Sequence, residues 1–314
     1  MTGPDRRLFL LGLGAGALVG CAEPFQKADG RRPPAEGGIG GTGIIGVVTA
    51  LGSIHVAGQR VLLEQAEISD AFGALSATAV RPGHSVTIEA AVSAAGARAR
   101  RVQLTYPLVG PLRRGTDLRI MGVKVIPEPG VSVPAKAARV AVSGLWRGDA
   151  VMASHLEPAS PDHPDLVAGD VSRTTEGSLR IGGLPVLAPS PEIPQEGSFA
   201  MAIGRAGQDR LVADRLEPGR FFGAAGPLVR LLVEGYLQPS DEAPGFAISG
   251  LGHSFDPAAQ LGAVAGQRAL FAGPYTGLFS VSHAVLLPDD LAGRRTLLGA
   301  GGMPEDHPKA LSTR

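Results

Sequence analysis

Four short runs along the chain put apolar residues at alternate positions and then end in glycine: Ile54-His55-Val56-Ala57-Gly58, Leu118-Arg119-Ile120-Met121-Gly122, Leu179-Arg180-Ile181-Gly182-Gly183 and Phe246-Ala247-Ile248-Ser249-Gly250. A period of two is that of a strand with one buried face, and the closing glycine supplies the turn out of it. The four glycines lie 64, 61 and 67 residues apart, and in the first three copies an apolar residue returns three positions later, at Val61, Val125 and Val186. Two more landmarks keep this register. Gly144, Gly204 and Gly273 follow their module glycines by 22, 21 and 23 residues, each closing an apolar run, and Pro158, Pro218 and Pro288 come 14, 14 and 15 residues after those. The first copy is looser, with Val86-Thr87-Ile88 and Val102-Gln103-Leu104 as its later strands. A repeat of this length predicts an array of small supersecondary units.

Each unit reads as four or five short strands, and so short a sheet escapes exposed edges by curling into a barrel. The predicted fold is therefore all-β: tandem small antiparallel barrel-like modules, similar to the oligonucleotide-binding fold. They span residues 42–107, 108–158, 165–218 and 226–288. Modules of about 60 residues have marginal cores, so neighbours are expected to pack on one another. Residues 289–314 show no period and are expected to form a flexible tail.

The N-terminus has a different pattern. Arg6 and Arg7 precede a twelve-residue apolar run, Leu8 to Val19, too short for the ~20 residues of a membrane-spanning helix. The run ends at Leu18-Val19-Gly20-Cys21, where the chain's single cysteine occupies the acylated position of a bacterial lipoprotein signal. Residues 1–20 are expected to be the signal peptide and Cys21 the lipidated residue. Residues 21–41, rich in Pro, Gly and charge, are expected to be a tether. Arg6-Arg7-Leu8-Phe9-Leu10 resembles a twin-arginine export signal, with Asp5 and Leu11 departing from the commoner residues. Ala22 after the cysteine, in place of the Asp that retains lipoproteins on the inner membrane, favours the outer membrane by resemblance to Gram-negative sorting. The implied location is the cell envelope, lipid-anchored and facing the periplasm. A lipidated Cys21 leaves no thiol for disulfides, catalysis or metal binding.

Composition narrows the function. The formal net charge is zero and aromatics are 4% of residues, so neither the electrostatic footprint nor the stacking platform of a nucleic-acid binder is present. Forty-five glycines and twenty-six prolines fit many short strands and turns. Gly38-Ile39-Gly40-Gly41-Thr42-Gly43-Ile44, followed by Gly46-Val47-Val48-Thr49-Ala50-Leu51-Gly52-Ser53-Ile54, resembles an exported bacterial family catalogued as domain of unknown function 5666. The likeness covers residues 38–104. It implies repeated small β modules behind a signal peptide and brings no catalytic residues.

Several constellations were weighed on their chemistry. Gly38-x-Gly40-x-x-Gly43 matches the dinucleotide fingerprint formally, but it lacks a preceding strand and a following helix. His155 and His163 with Asp162 and Asp165 flank a Pro-rich stretch without helical ligand spacing and read as a solvated loop, so no metal and no cofactor is expected. His253, Ser254 and Asp256 lack the nucleophile elbow of a serine hydrolase. Glu157 and Glu217 recur at one module position and read as strand-end residues; Trp146, Phe221, Phe222 and Tyr275 read as packing. The one basic concentration is Arg98, Arg100 and Arg101 with Arg113, Arg114 and Arg119, a candidate surface for an anionic partner whose plainer reading is solvated strand faces. The functional expectation is a non-enzymatic binding or scaffold protein, held to the membrane by its lipid, with an envelope protein, a polysaccharide or a small ligand as partner. The alternative is a periplasmic hydrolase-type enzyme with its site assembled from inter-module loops.

Overall fold

The computed structural model describes residues 40–93, 96–188, 194–207, 209–252, 255–259 and 266–299. The first module holds β1 (Gly41–Ala50), β2 (Ile54–Val56), β3 (Gln59–Leu62), β4 (Glu67–Ser69), β5 (Ser85–Ser93) and β6 (Gly96–Leu104). β1 pairs with β2 and β5, β2 with β3, β5 with β6, and β3 with β6, which closes a five-stranded ring; β4 adds to β6 outside it. The second module repeats the ring with β7 (Leu108–Arg114), β8 (Leu118–Ile120), β9 (Val123–Pro127), β10 (Arg139–Arg147) and β11 (Ala150–Pro158). The third repeats it with β12 (Asp165–Arg173), β13 (Leu179–Ile181), β14 (Leu184–Leu187), β15 (Phe199–Ala206) and β16 (Leu211–Pro218). In each ring the third and fifth strands are neighbours, the Greek-key order of the oligonucleotide-binding fold.

Each barrel closes through one parallel pair within its otherwise antiparallel ring. The closing pairs β3–β6, β9–β11 and β14–β16 are parallel. A ring with an odd number of strands cannot alternate direction all the way round, so one pair must run the same way.

The landmark glycines have a steric reason. A register shift lies between Ser143 and Gly144 and another between Ile203 and Gly204, leaving Ser154 and Asp214 as the extra residues of two bulges. A Cβ on Gly144 would sit 2.1 Å from the Met152 carbonyl oxygen, and one on Gly204 would sit 2.0 Å from that of Val212. Gly273 faces the Ser280 carbonyl in the same way. The first barrel has its bulge at Ala90, opposite Arg100, which is why that copy reads as looser.

The fourth module departs from the others. It contains β17 (Leu228–Pro239), β18 (Phe246–Ile248), β19 (Arg268–Pro274) and β20 (His283–Leu286), paired β18–β17–β19–β20 with no ring closed among the described residues. Its long strand β17 instead runs parallel beside β1, from Gly41 opposite Leu228 to Ile45 opposite Val233. The glycine-rich lead-in makes this approach possible. A Cβ on Gly43 would lie 2.6 Å from Leu231 and 2.7 Å from Phe221, so this glycine serves strand packing. Barrels 2 and 3 are joined more conventionally, by antiparallel β7 and β12.

Residues 291–298 correct the tail expectation. They form helix α1 (Leu291–Leu298), capped by the Asp290 carboxylate on the Gly293 N–H at 2.6 Å, with Arg294 and Leu298 buried. Arg294 completes a sealed quartet with Glu128, Glu234 and Arg268, all four side chains at 0% exposure. Arg268 binds Glu128 and, at 2.8 Å, Glu234; Arg294 binds Glu128 at 2.7 Å. The second oxygen of Glu234 accepts the Val47 N–H at 2.7 Å, and Gly46 leaves the room for it, since a Cβ there would lie 2.9 Å from that carboxylate. One neutral cluster thus ties barrel 1, barrel 2, the fourth module and α1 together.

Candidate functional site

The bulge of barrel 2 docks onto a loop of barrel 1 and builds the most unusual group of side chains in the molecule. Ser154, the extra residue, donates its hydroxyl to the Gly83 carbonyl at 2.6 Å, and the Gly144 N–H donates to Ser85 Oγ at 3.1 Å. Gly83 sits at φ +91° with the Ser154 carbonyl 2.5 Å from where a Cβ would be, so no other residue lets the two barrels close this far. His84 is clamped between these contacts and is 1% exposed.

Across the junction, the next residues of β11 face it. His84 Nε2 lies 3.8 Å from Glu157 Oε1, and His155 Nε2 lies 4.0 Å from Glu157 Oε2. The two imidazoles meet edge to face with centroids 4.8 Å apart. Tyr106 donates its hydroxyl to Glu157 Oε1 at 3.2 Å, and burial, then the neighbouring Glu157, holds that phenol well above its usual range. His84 Nδ1 accepts the Arg81 N–H at 3.3 Å, whereas the buried Nε2 has no hydrogen-bond partner. Burial, with His155 and Arg81 adding to it, pushes His84 down to about 4; burial also lowers His155 against the pull of Glu157. Both shifts favour the neutral imidazoles.

A second concavity, a groove of about 560 Å³, opens between the hairpins of barrels 2 and 3. Arg119, Lys124, Arg147 and Arg180 line it, against Asp149 and Asp209. Arg119 and Arg180 are the central residues of the repeated Leu-Arg-Ile strands, and each donates to the carbonyl of its own hairpin glycine, Gly122 at 2.7 Å and Gly183. The repeat thus braces each arginine on its own hairpin, and Arg119 also donates to Asp117 at 3.4 Å. Lys124 pairs with Asp117 at 2.9 Å.

The residues singled out from the sequence are distributed as follows. Arg6, Arg7, Cys21, His253 and Ser254 lie outside the described residues. Arg98 and Arg100 are exposed on β6, and Arg101 stacks its guanidinium 4.2 Å over Phe222. Arg113 faces Arg119 across β7 and β8, and Arg114 donates to the carbonyls of Ala137 and Pro134. The basic residues are therefore divided between strands of two barrels, and only Arg119 reaches the groove. His163 stacks on Phe72 with centroids 4.3 Å apart, and Asp165 binds Arg139 at 2.6 Å, so neither joins His155. Glu217 pairs with Arg215 at 2.7 Å, a strand-end role, but its repeat equivalent Glu157 is the centre of the histidine cluster. Trp146 donates Nε1–H to the Ala168 carbonyl at 2.8 Å and packs its ring on Gly182 and Gly250, as inter-module packing requires.

Sequence reasoning missed His84 and the partnership of His155 with it. The bulge spacing after Gly144 was the available signal, because it marks where barrel 2 thickens toward its neighbour. No protein-family model matches the chain, and no curated protein or solved structure matches it either.

Proposed function

We propose that this chain is a non-enzymatic, lipid-anchored protein of the bacterial cell envelope, related to the family of domain of unknown function 5666, that binds an acidic polysaccharide or phosphate-bearing glycan. The observation that carries the reading is the groove between barrels 2 and 3, where four cations line the wall against Asp149 and Asp209, with Asp117 pairing two of them, on a chain of zero net charge. Local positive charge on a neutral protein is a recognition feature rather than a general affinity for polyanions. Sparse aromatics argue for recognition through charge rather than ring stacking. Barrels 2 and 3, joined through the β7–β12 pairing, present the groove as a pre-formed surface, which lowers the ordering cost of binding. Lipid on Cys21, with residues 21–41 as the tether, would hold that surface near the membrane.

Binding of lipopolysaccharide and of alginate to the full chain tests this, with Arg119→Ala/Arg180→Ala as the comparison and salt as a variable. The reading expects saturable binding that weakens with ionic strength and is lost in the double variant. Equal binding by both proteins would sink it. The anchor is tested separately: Cys21→Ala should move the protein from the membrane fraction to the soluble periplasmic fraction. The enzyme alternative draws on a different observation, the histidine–carboxylate cluster at the junction of barrels 1 and 2.

A further inference from the structure

The cluster at the junction of barrels 1 and 2 has the composition and geometry of a metal site. His84, His155 and Glu157 each offer one donor atom, and the three atoms lie within 4.8 Å of one another. A four-coordinate zinc, with bonds of about 2.0–2.2 Å, has donors about 3.3–3.4 Å apart. The two carboxylate separations of 3.8 and 4.0 Å, in a group spanning up to 4.8 Å, need side-chain shifts of roughly 0.5–1.5 Å to reach that. His155 and Glu157 can make them, since their side chains are 29% and 32% exposed, whereas His84 is fixed by its loop.

Two features separate this group from an ordinary core histidine. First, the Nε2 of His84 is buried with no hydrogen-bond partner, and an oxygen of Glu157 stands 3.8 Å away, beyond hydrogen-bond reach. A buried polar atom left unsatisfied costs stability, and such atoms are rare enough to need a reason. Second, Glu157 already has an outer-sphere donor in the Tyr106 hydroxyl, the kind of support that orients a ligating carboxylate.

We propose that His84, His155 and Glu157 bind one zinc ion across the junction of barrels 1 and 2, with solvent completing the fourth position. Two imidazoles and one carboxylate suit zinc among the common divalent ions, whereas magnesium and calcium take all-oxygen sets. Coordination through His84 Nε2 places the ring proton on Nδ1, so the 3.3 Å bond from the Arg81 N–H opens. The exposed Arg81 side chain can turn away from the ion. Zinc bound there would staple the barrels together, with solvent at its fourth position. This inference stands apart from the glycan-binding reading, because none of the three residues lines the groove.

The experiment is a titration of chelator-stripped, untagged full-length protein with zinc chloride at pH 7.5, followed by calorimetry, beside His155→Ala and Glu157→Gln. These two side chains are partly exposed, so both variants should fold, which circular dichroism checks. The wild-type chain should bind one equivalent, and zinc at a hundred times its dissociation constant should raise the unfolding midpoint by roughly 5–10 °C. Cobalt in place of zinc should give the visible absorption of a four-coordinate site. Both variants should lose the one-to-one binding and the cobalt spectrum. Absence of binding by the wild-type chain, or retention of the one-to-one binding in either folded variant, overturns the proposal.

Discussion

Two charged clusters fasten the modules together, and they are built on opposite principles. The quartet of Glu128, Glu234, Arg268 and Arg294 is dry and neutral: two carboxylates face two guanidiniums, all at 0% exposure. The His84–His155–Glu157 group is half open, with one acid between two neutral bases and a buried nitrogen left without a partner. A buried ion network persists only where geometry and extra hydrogen bonds offset desolvation, and then removing one member leaves an uncompensated charge. In the quartet each charge faces an opposite one and is sealed from solvent, although Arg268 Nη2 and Arg294 Nε lack a hydrogen-bond partner. The junction keeps two partly exposed side chains, His155 and Glu157, so a ligand can reach its donor atoms. Access to solvent, rather than unpartnered atoms, distinguishes the structural cluster from the candidate site.

The largest effect expected is on the quartet. Arg268→Met leaves Glu128 and Glu234 buried against one remaining cation, which should cost about 3–5 kcal/mol. Urea unfolding measures it, and against a typical total of ~5–15 kcal/mol the variant should be close to unfolded at 37 °C. A loss below about 1 kcal/mol would show that the quartet is not the tie described here. Next comes acid. His84 titrates near 6.5 when unfolded and near 4 when folded, so between those values the unfolded chain binds more protons. Its contribution is complete above about pH 6.5 and is lost as pH falls toward 4, amounting to roughly 2–3 kcal/mol. Unfolding in urea at pH 7 and pH 4.5, with chelator present, should show that loss, and His84→Asn should flatten it. If the wild type and His84→Asn lose stability equally with acid, the junction is not the sensitive point. Smallest is the groove: Arg119→Ala/Arg180→Ala should change stability by less than about 0.5 kcal/mol per site while abolishing glycan binding. A large stability loss there would make these arginines braces of the hairpins rather than ligand contacts.

The barrels were legible because their grammar is local. Alternating Leu118, Ile120 and Leu179, Ile181 point inward as the period demands, and Gly144 and Gly204 stand where a bulge brings one strand's carbonyl against the next. What could not be read depends on residues far apart in the chain. Glu128 and Arg268, 140 residues apart, look like any surface acid and base, and Arg294 stands in a stretch with no period. The same distance hid His84. His155 was grouped with His163 and Asp165 because they are near in sequence, yet Asp165 begins barrel 3 and binds Arg139, and His163 stacks on Phe72. The parallel pairing of β1 with β17 was equally invisible, since antiparallel hairpins are announced by their turns and parallel partners are not.

That parallel pairing sets an order of events in the life of the chain. Ile44 has its neighbour at Leu232, and Val47 takes its carboxylate acceptor from Glu234, 187 residues away. A ribosome moving at roughly 5–20 residues per second takes on the order of ten seconds or more to cover that distance. Barrels 2 and 3 can condense from local hairpins in that interval, while β1 waits with one edge unpaired. Closure of so distant a contact is entropically slow. The first strand made is thus among the last to be completed, and a nascent chain interrupted before residue 228 presents a bare apolar edge to chaperones and proteases.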